Sequence, residues 1–360
     1  MKTFIIALLA IGVVACNSGE KKPAETTKTT AEGEFAVRFV NGNFSEAQAQ
    51  AKSAEKMMLV DVFADWCVPC KKLDRAVFKD PESGNFINHH FVSVKIDGEK
   101  GEGPEIMDRF NITGYPTILV LDADGNEIDR IVGFGEKQEF LTILNDYING
   151  VNTIAYWQKK ADENPEDTQA LIVVAEKLWE KSDFAAAVPY YEKLASVTKD
   201  DEQLQVTQLR LAEYALTNDD VQPFKKLLAG NTLNEDYRKR ANLRMLSYYR
   251  KKSDQPNLFQ TYDVLIKENP GDISLLNNYA WYIFENELTD KYAFGIEMAQ
   301  KAVKINPQAD YIWDTLAQLQ FAAGNVDDAI KSMKEAISLN PQENSYKELL
   351  NKYEAQKSAA

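Results

Sequence analysis

Two periodicities divide the chain. Between residues 35 and 150 short apolar runs alternate with amphipathic stretches, whereas beyond residue 154 apolar positions and alanines recur at helical spacing. In the first part, 35–40 reads as a strand. Ser45 is placed to cap a helix over 46–56, and 57–63 is an apolar strand broken only by Asp61. A helix starts at Cys67 and is interrupted near Asp80-Pro81 and Gly84, before a strand over 91–96. A short helix over 104–110 precedes a strand over 117–121. Asp124-Gly125 is a hairpin turn, 127–132 the returning strand, and 137–148 a closing helix. The order β-α-β-α-β-α-β-β-α is that of an α/β fold, a mixed central sheet flanked by helices.

The second part, 154–355, reads as all-α. Asn-Pro dipeptides at Asn164, Asn269, Asn306 and Asn340 lie 105, 37 and 34 residues apart, which points to a repeat of about 34 residues. The last period carries Trp313, Leu316, Ala317, Gly324, Ala329, Ala336 and Pro341, and an earlier one carries Leu171, Val174, Ala175, Ala187 and Tyr191. These positions resemble the tetratricopeptide repeat, in which small residues let two paired helices approach closely. About five helix pairs are expected as a solenoid, two of them inferred from length across the degenerate stretch 200–269. Tyr279, Trp281, Tyr282 and Phe284 read as core.

Ahead of both parts, Lys2 precedes an apolar run over 4–15. About 12 residues are too few to span a bilayer but suit the central region of an export signal. The run ends in Val13-Val14-Ala15-Cys16, which resembles a bacterial lipoprotein signal. Residues 1–15 are therefore expected to be a signal peptide, Cys16 the lipidated residue, and 16–34 a flexible tether reaching roughly 25 Å. An ordinary cleaved signal is the alternative. Either implies export, and lipidation implies anchoring on the periplasmic side of a bacterial membrane, inner or outer. The net charge of −14 argues against nucleic acid as a partner, because phosphate binding needs a basic surface.

Cysteine usage sharpens the reading. With Cys16 assigned to lipid, Cys67 and Cys70 remain, delivered by an apolar strand to a helix start. Backbone N–H groups and the dipole at such a terminus favour a thiolate, so Cys67 is the candidate nucleophile. Cys70 lies close enough to close a small disulfide with it and expel whatever it has captured. So short a loop adds little stability, which favours working chemistry over a staple. Zinc needs about four ligands. The sole histidines, His89 and His90, are adjacent and read as a solvated helix end, so no metal or cofactor is expected. The reading requires the sulfur of Cys67 to be reachable from solvent.

Asp61, Trp66, Cys67, Pro69, Cys70 and Tyr115-Pro116-Thr117 together resemble the thioredoxin family over about 35–150. Lys71-Lys72-Leu73-Asp74, Val77-Phe78-Lys79-Asp80-Pro81 and Val94-Lys95-Ile96-Asp97 are similar to the C-terminal domain of transmembrane thiol:disulfide interchange proteins. The resemblance implies that Cys67 attacks, Cys70 resolves, Pro116 is a cis-proline beside them, and Asp61 is a buried acid serving Cys70. Trp66, Tyr115 and Thr117 would contact substrate. The pattern departs at Val68-Pro69 between the cysteines, at Arg75 where a helix proline is usual, and at Ser93, where a lysine partner of the buried acid would fall. Lys95 is the next residue on that strand face. These readings describe an exported protein-disulfide reductase, with protein disulfides as substrates, a membrane thiol carrier as electron donor, and repeats that position a protein or peptide partner. The alternative is a repeat scaffold with a passive thioredoxin-like module.

Overall fold

The structure, a computed structural model, describes residues 36–359. The expected signal peptide over 1–15, the lipidation site Cys16 and the tether over 16–34 lie outside the described residues. The chain divides into two compact units, one holding residues up to 102 with 115–142, the other holding 103–114 with 143 onward.

The first unit is built on a four-stranded mixed sheet. Its elements run α1 (Phe44–Ala54), β1 (Met57–Phe63), α2 (Val68–Leu73), α3 (Pro81–His90) and β2 (Phe91–Asp97). After α4 (Gly103–Arg109), which the contacts assign to the second unit, come β3 (Thr117–Leu121), β4 (Glu127–Val132) and α5 (Lys137–Ile148). The strand order is β2-β1-β3-β4, with β1 parallel to β2 and antiparallel to β3, and β3 antiparallel to β4. Central β1 is buried from Met58 to Val62, which explains its unbroken apolar run, and every residue of β3 is buried.

Local chemistry moves several expected boundaries. The side chain of Asn43, rather than Ser45, accepts the Glu46 amide at 3.0 Å, so α1 begins two residues earlier than expected. The strand expected over 35–40 shrinks to one bridge, Phe39 to Ser93. The amides of Ala36 and Val37 both donate to the Phe78 carbonyl instead, which draws the chain off the sheet edge. Gly84 does not break its helix. It sits inside α3 against the Ala36 backbone, where a Cβ would come within 2.7 Å of the carbonyl carbon, so the site accepts only glycine. Between α2 and α3 the chain makes one π-helical turn, Asp74–Phe78.

The second unit carries no strand among its described residues. After α6 (Ile154–Glu163) come five helix pairs: α7 (Thr168–Glu180) with α8 (Phe184–Val197), α9 (Asp201–Thr217) with α10 (Gln222–Ala229), and α11 (Glu235–Lys251) with α12 (Gln255–Glu268). The series continues with α13 (Ile273–Glu285) beside α14 (Tyr292–Ile305), then α15 (Asp310–Ala322) beside α16 (Val326–Leu339), and ends in α17 (Asn344–Ala359). Ala317 of α15 and Ala329 of α16 are fully buried in one cluster, the close approach that small residues permit. Tyr279 and Tyr282 are core, as expected, with Trp281 and Phe284 half-buried beside them. Aspartates 167, 183, 200, 254 and 272 each cap a helix N-terminus. Part of the acidic charge is therefore committed to the fold.

Asp80 does the same for α3. Its carboxylate accepts from the Ser83 amide and hydroxyl at 2.9 and 2.7 Å and from the Lys137 ammonium at 2.9 Å. Burial works against the charge, but the Ser83 and Lys137 contacts outweigh it and hold the carboxyl at about 2. Because that value lies below the unfolded one, the stabilisation is present above the ordinary carboxylate range and fades as pH falls toward 2. Asp80→Ala is expected to lower unfolding free energy by about 2 kcal/mol at pH 7 and by less than half of that at pH 2. Urea denaturation at the two pH values checks this, and an equal loss at both would refute the charged cap.

Candidate active site

The strand-to-helix junction after β1 places the cysteines. The Cys67 amide donates to the Ala64 carbonyl at 3.0 Å, closing a tight turn, and α2 begins at Val68 with Cys67 as its N-cap. Pro69 occupies the first turn, where its fixed φ suits a helix and its missing N–H would be unsatisfied anyway. The Cys67 sulfur accepts the Cys70 amide at 3.1 Å, an interaction that favours electron density on that sulfur. Cys67 and Cys70 are joined as a disulfide.

The expected openness of Cys67 is not met. In the disulfide form it is 2% exposed and Cys70 is 3% exposed, because both pack with Ala64 under Phe63 and Tyr115. The residues on either side of Cys67 are the opposite: Trp66 is 65% exposed and Val68 is 71% exposed. The sulfur thus lies just beneath an apolar surface that a substrate chain can cover.

Three further expected residues gather at this point. The Tyr115–Pro116 peptide is cis, and Pro116 and Thr117 are buried at the head of β3. The Pro116 carbonyl accepts the Gly133 amide at 2.8 Å, which joins this corner to the end of β4, where Val132 is exposed. Tyr115 meets Trp66 edge-on, with ring centroids 5.8 Å apart. The Trp66 indole N–H donates to Glu99 Oε1 at 2.9 Å, a tie that motif reading did not include.

Asp61 is 1% exposed in the middle of β1, in register with Lys95 of parallel β2. The Lys95 ammonium donates to Asp61 Oδ2 at 2.5 Å and to Asp74 Oδ1 at 2.6 Å, while the other Asp61 oxygen, Oδ1, has no hydrogen-bond partner. Lys95 thereby supplies the cation that the family pattern would place at Ser93. Asp74 stood in a stretch that sequence reasoning quoted, but its role was missed. It sits in the π-helical turn, and its amide donates to the Cys70 carbonyl, so the chain leaving Cys70 carries the second acid. Its position four residues after Cys70, on the same helical face, was the available signal. Burial raises the Asp61 carboxyl above its ordinary range, Lys95 opposes that rise, and Asp74 adds to it. A carboxyl so placed holds a proton more readily than an ordinary carboxylate does. His89 and His90 end α3 as expected, but only His89 is exposed; His90 is half-buried, its ring 5.0 Å from that of Phe86.

Residues 44–148 match the family model of the thioredoxin-like domain, and residues 311–343 match that of the tetratricopeptide repeat. Residues 44–148 form a thioredoxin-like domain. The thiol:disulfide interchange protein DsbD of Tatumella citrea is 31% identical over 149 residues, which are 40% of this chain and 26% of that protein. DsbD of Haemophilus influenzae (strain PittEE) is 36% identical over 93 residues, 25% of this chain and 16% of the relative. The chain thus spans about a quarter or less of these relatives. A candidate disulphide-isomerase from Bacteroides thetaiotaomicron, known from its solution structure, is 37% identical over 31% of this chain and 93% of its own, with a TM-score of 0.30.

The raised Asp61 carboxyl has a consequence for stability. Its folded value exceeds its unfolded one, so the stabilisation attached to the protonated form is complete below the ordinary carboxylate range and disappears as pH rises through the folded value. Asp61→Asn is expected to make the protein more stable than wild type at pH 8 by about 1–3 kcal/mol, with the gap closing near pH 4. Equal destabilisation at both pH values in urea titrations would contradict the assignment.

Proposed function

We propose that this protein is a thiol:disulfide oxidoreductase acting as a protein-disulfide reductase, and that its repeats hold a protein partner for the cysteine pair. The observation that carries the reading is the Cys67–Cys70 pair at a helix N-terminus beside a cis-proline, with a buried acid on the strand that leads into it. In the reduced form the Cys67 thiolate attacks one sulfur of a substrate disulfide. A mixed disulfide forms, and the other substrate sulfur leaves as a thiolate. Cys70 then gives its proton to Asp61 and attacks Cys67, expelling the second substrate sulfur and closing the Cys67–Cys70 bond. The substrate gains two electrons and the dithiol loses them. A reduced dithiol carrier in the membrane restores the pair by the same exchange in reverse. Exposed Trp66, Val68 and Val132 form the apolar surface on which an extended substrate segment rests, and the Tyr115–Pro116 corner offers it backbone to pair with. Export and anchoring through Cys16 belong to the same proposal, since an oxidising compartment is where such a reductase has work to do.

Cys70→Ser is expected to accumulate mixed disulfides through Cys67, visible as slow bands on non-reducing gels that collapse on reduction, because attack persists and resolution does not. Cys67→Ser should give none. Adducts from Cys67→Ser alone would reverse the roles. Full cellular function in Cys67→Ser would favour the scaffold reading, in which the repeats act without the thiol pair.

The repeats point to a particular chemistry of partner. Helix α11 carries Arg238, Lys239, Arg240, Arg244, Arg250 and Lys251 against Glu235 and Asp236, opposite in sign to a chain of net charge −14. Arg240, Arg244, Ser247 and Lys251 follow the spacing of one helical stripe. Glu213 of α9, its side chain 9% exposed, takes up part of this charge from Arg244 at 2.8 Å and Arg240 at 3.7 Å, and also pairs with Arg210 of its own helix at 3.3 Å. Arg244 and Lys251 also line a cleft of about 320 Å³ walled by Trp179, Phe184 and Tyr248. An acidic segment with one aromatic or aliphatic anchor suits such a surface. Arg244→Glu combined with Lys251→Glu should weaken binding of a fluorescein-labelled Glu-rich peptide containing one Phe by about tenfold at low salt. Unchanged affinity, or equal binding of the Lys-substituted peptide, would rule this surface out.

A further inference from the structure

The Lys95 ammonium is boxed in by aromatic rings. The ring centroids of Phe63, Phe78 and Phe39 lie 4.8, 5.2 and 5.4 Å from it, while Asp61 and Asp74 hold it by hydrogen bonds. Two of these rings come from the body of the domain, from β1 and from the π-helical turn. The third does not. Phe39 belongs to the segment 36–40, which precedes the first helix and is laid across the edge of the sheet.

That segment is fixed in place along its length. Ala36 and Val37 donate to the Phe78 carbonyl at 2.7 and 3.0 Å, and Val40 donates to the Ser93 carbonyl at 2.8 Å. Arg38 donates to Asn88 Oδ1 at 2.8 Å, and Asn88 returns a bond to the Ala36 carbonyl at 3.0 Å. Gly84 lets the Ala36 backbone seat closely, and the Phe39 ring meets Phe78 edge-on at 5.2 Å. Beneath it, Ser93 Oγ and Asp61 Oδ1 are buried without hydrogen-bond partners, two polar atoms that water would solvate if it could enter.

We propose that Phe39 is a positioning residue for thiol–disulfide exchange: its ring shields the buried Asp61 side of the pocket that Asp61, Lys95 and part-exposed Asp74 form, and so sets the pH at which Cys70 can resolve a mixed disulfide. The inference rests on the reading of Asp61 as the acceptor of the Cys70 proton. The charged groups facing the pocket are Asp61 on β1, Lys95 on β2 and Asp74 on the turn that follows Cys70. Phe63 links the pocket to the sulfurs, because it packs against the Cys67–Cys70 cluster and its ring also faces Lys95. Burial is the largest influence on the Asp61 carboxyl, so admitting water moves its proton affinity down, toward that of an ordinary carboxylate.

The test uses the reduced protein and 5,5′-dithiobis(2-nitrobenzoic acid). Attack by Cys67 releases one coloured thiolate, and resolution by Cys70 releases the second. The pH midpoint of the second release is expected to fall by at least half a unit in Phe39→Ala and to stay at the wild-type value in Phe39→Leu, which refills the space. Should the alanine variant fail to fold, Phe39→Val keeps a strand-forming residue and vacates the ring's volume, with the same downward shift expected. A wild-type midpoint in a folded Ala or Val variant, or a shift to higher pH, overturns the inference. Absence of a second release in the wild type would instead overturn the functional reading on which it rests.

Discussion

The first unit is organised around one unfavourable act, the burial of the Asp61 carboxyl in the central strand of its sheet. An isolated carboxylate there is untenable, and the surroundings answer it in a specific way. Parallel pairing of β1 with β2 brings Lys95 into register. The π-helical turn after α2 brings Asp74 to the same ammonium, and three phenylalanines enclose the group. With a single cation shared between two carboxylates, the pocket is left with an excess of negative charge. A proton relieves that imbalance, and in the proposed exchange the cysteine pair at the end of the same strand is where one is released.

The cysteine site shows a second compromise. Cys67 caps a helix and accepts the Cys70 amide, which favours charge on sulfur, yet in the oxidised form it lies under Phe63 and Tyr115. Exposed Trp66, Val68 and Val132 around a covered disulfide make sense if substrate arrives as an extended chain that replaces water over the site before any bond is exchanged. Apolar exposure of this kind is a liability unless something binds it.

Much of this was legible in the order of residues. The strand-to-helix delivery of Cys67 and Cys70 and the hairpin at Asp124-Gly125 follow from local rules, and β3 and β4 fall where periodicity places them. The five helix pairs follow from a spacing near 34, even where the degenerate stretch preserves few signature residues. What was not legible depends on contacts between distant segments. Asn43 displaces Ser45 as a cap because entry geometry, not residue type, chooses between two good capping side chains. The first strand fails because the Phe78 carbonyl captures two amides that would have paired along the sheet. Gly84 looks like a breaker in sequence and is instead a contact point for a segment almost fifty residues earlier. Asp74 stands in the stretch Lys71-Lys72-Leu73-Asp74 without a role assigned to it, and Phe39 carries no motif. Their importance appears only when the sheet register brings Lys95 to them.

The central claim, that Cys67 and Cys70 pass two electrons to a substrate disulfide as one unit, is tested most directly by a single turnover. The reduced, purified protein is mixed with an equimolar disulfide-bonded peptide, quenched by alkylation at successive times, and weighed by mass spectrometry. One peptide disulfide is expected to be lost for each Cys67–Cys70 bond formed, with a mixed disulfide through Cys67 appearing first. If the peptide stays oxidised while both cysteines remain alkylatable thiols, the account is contradicted.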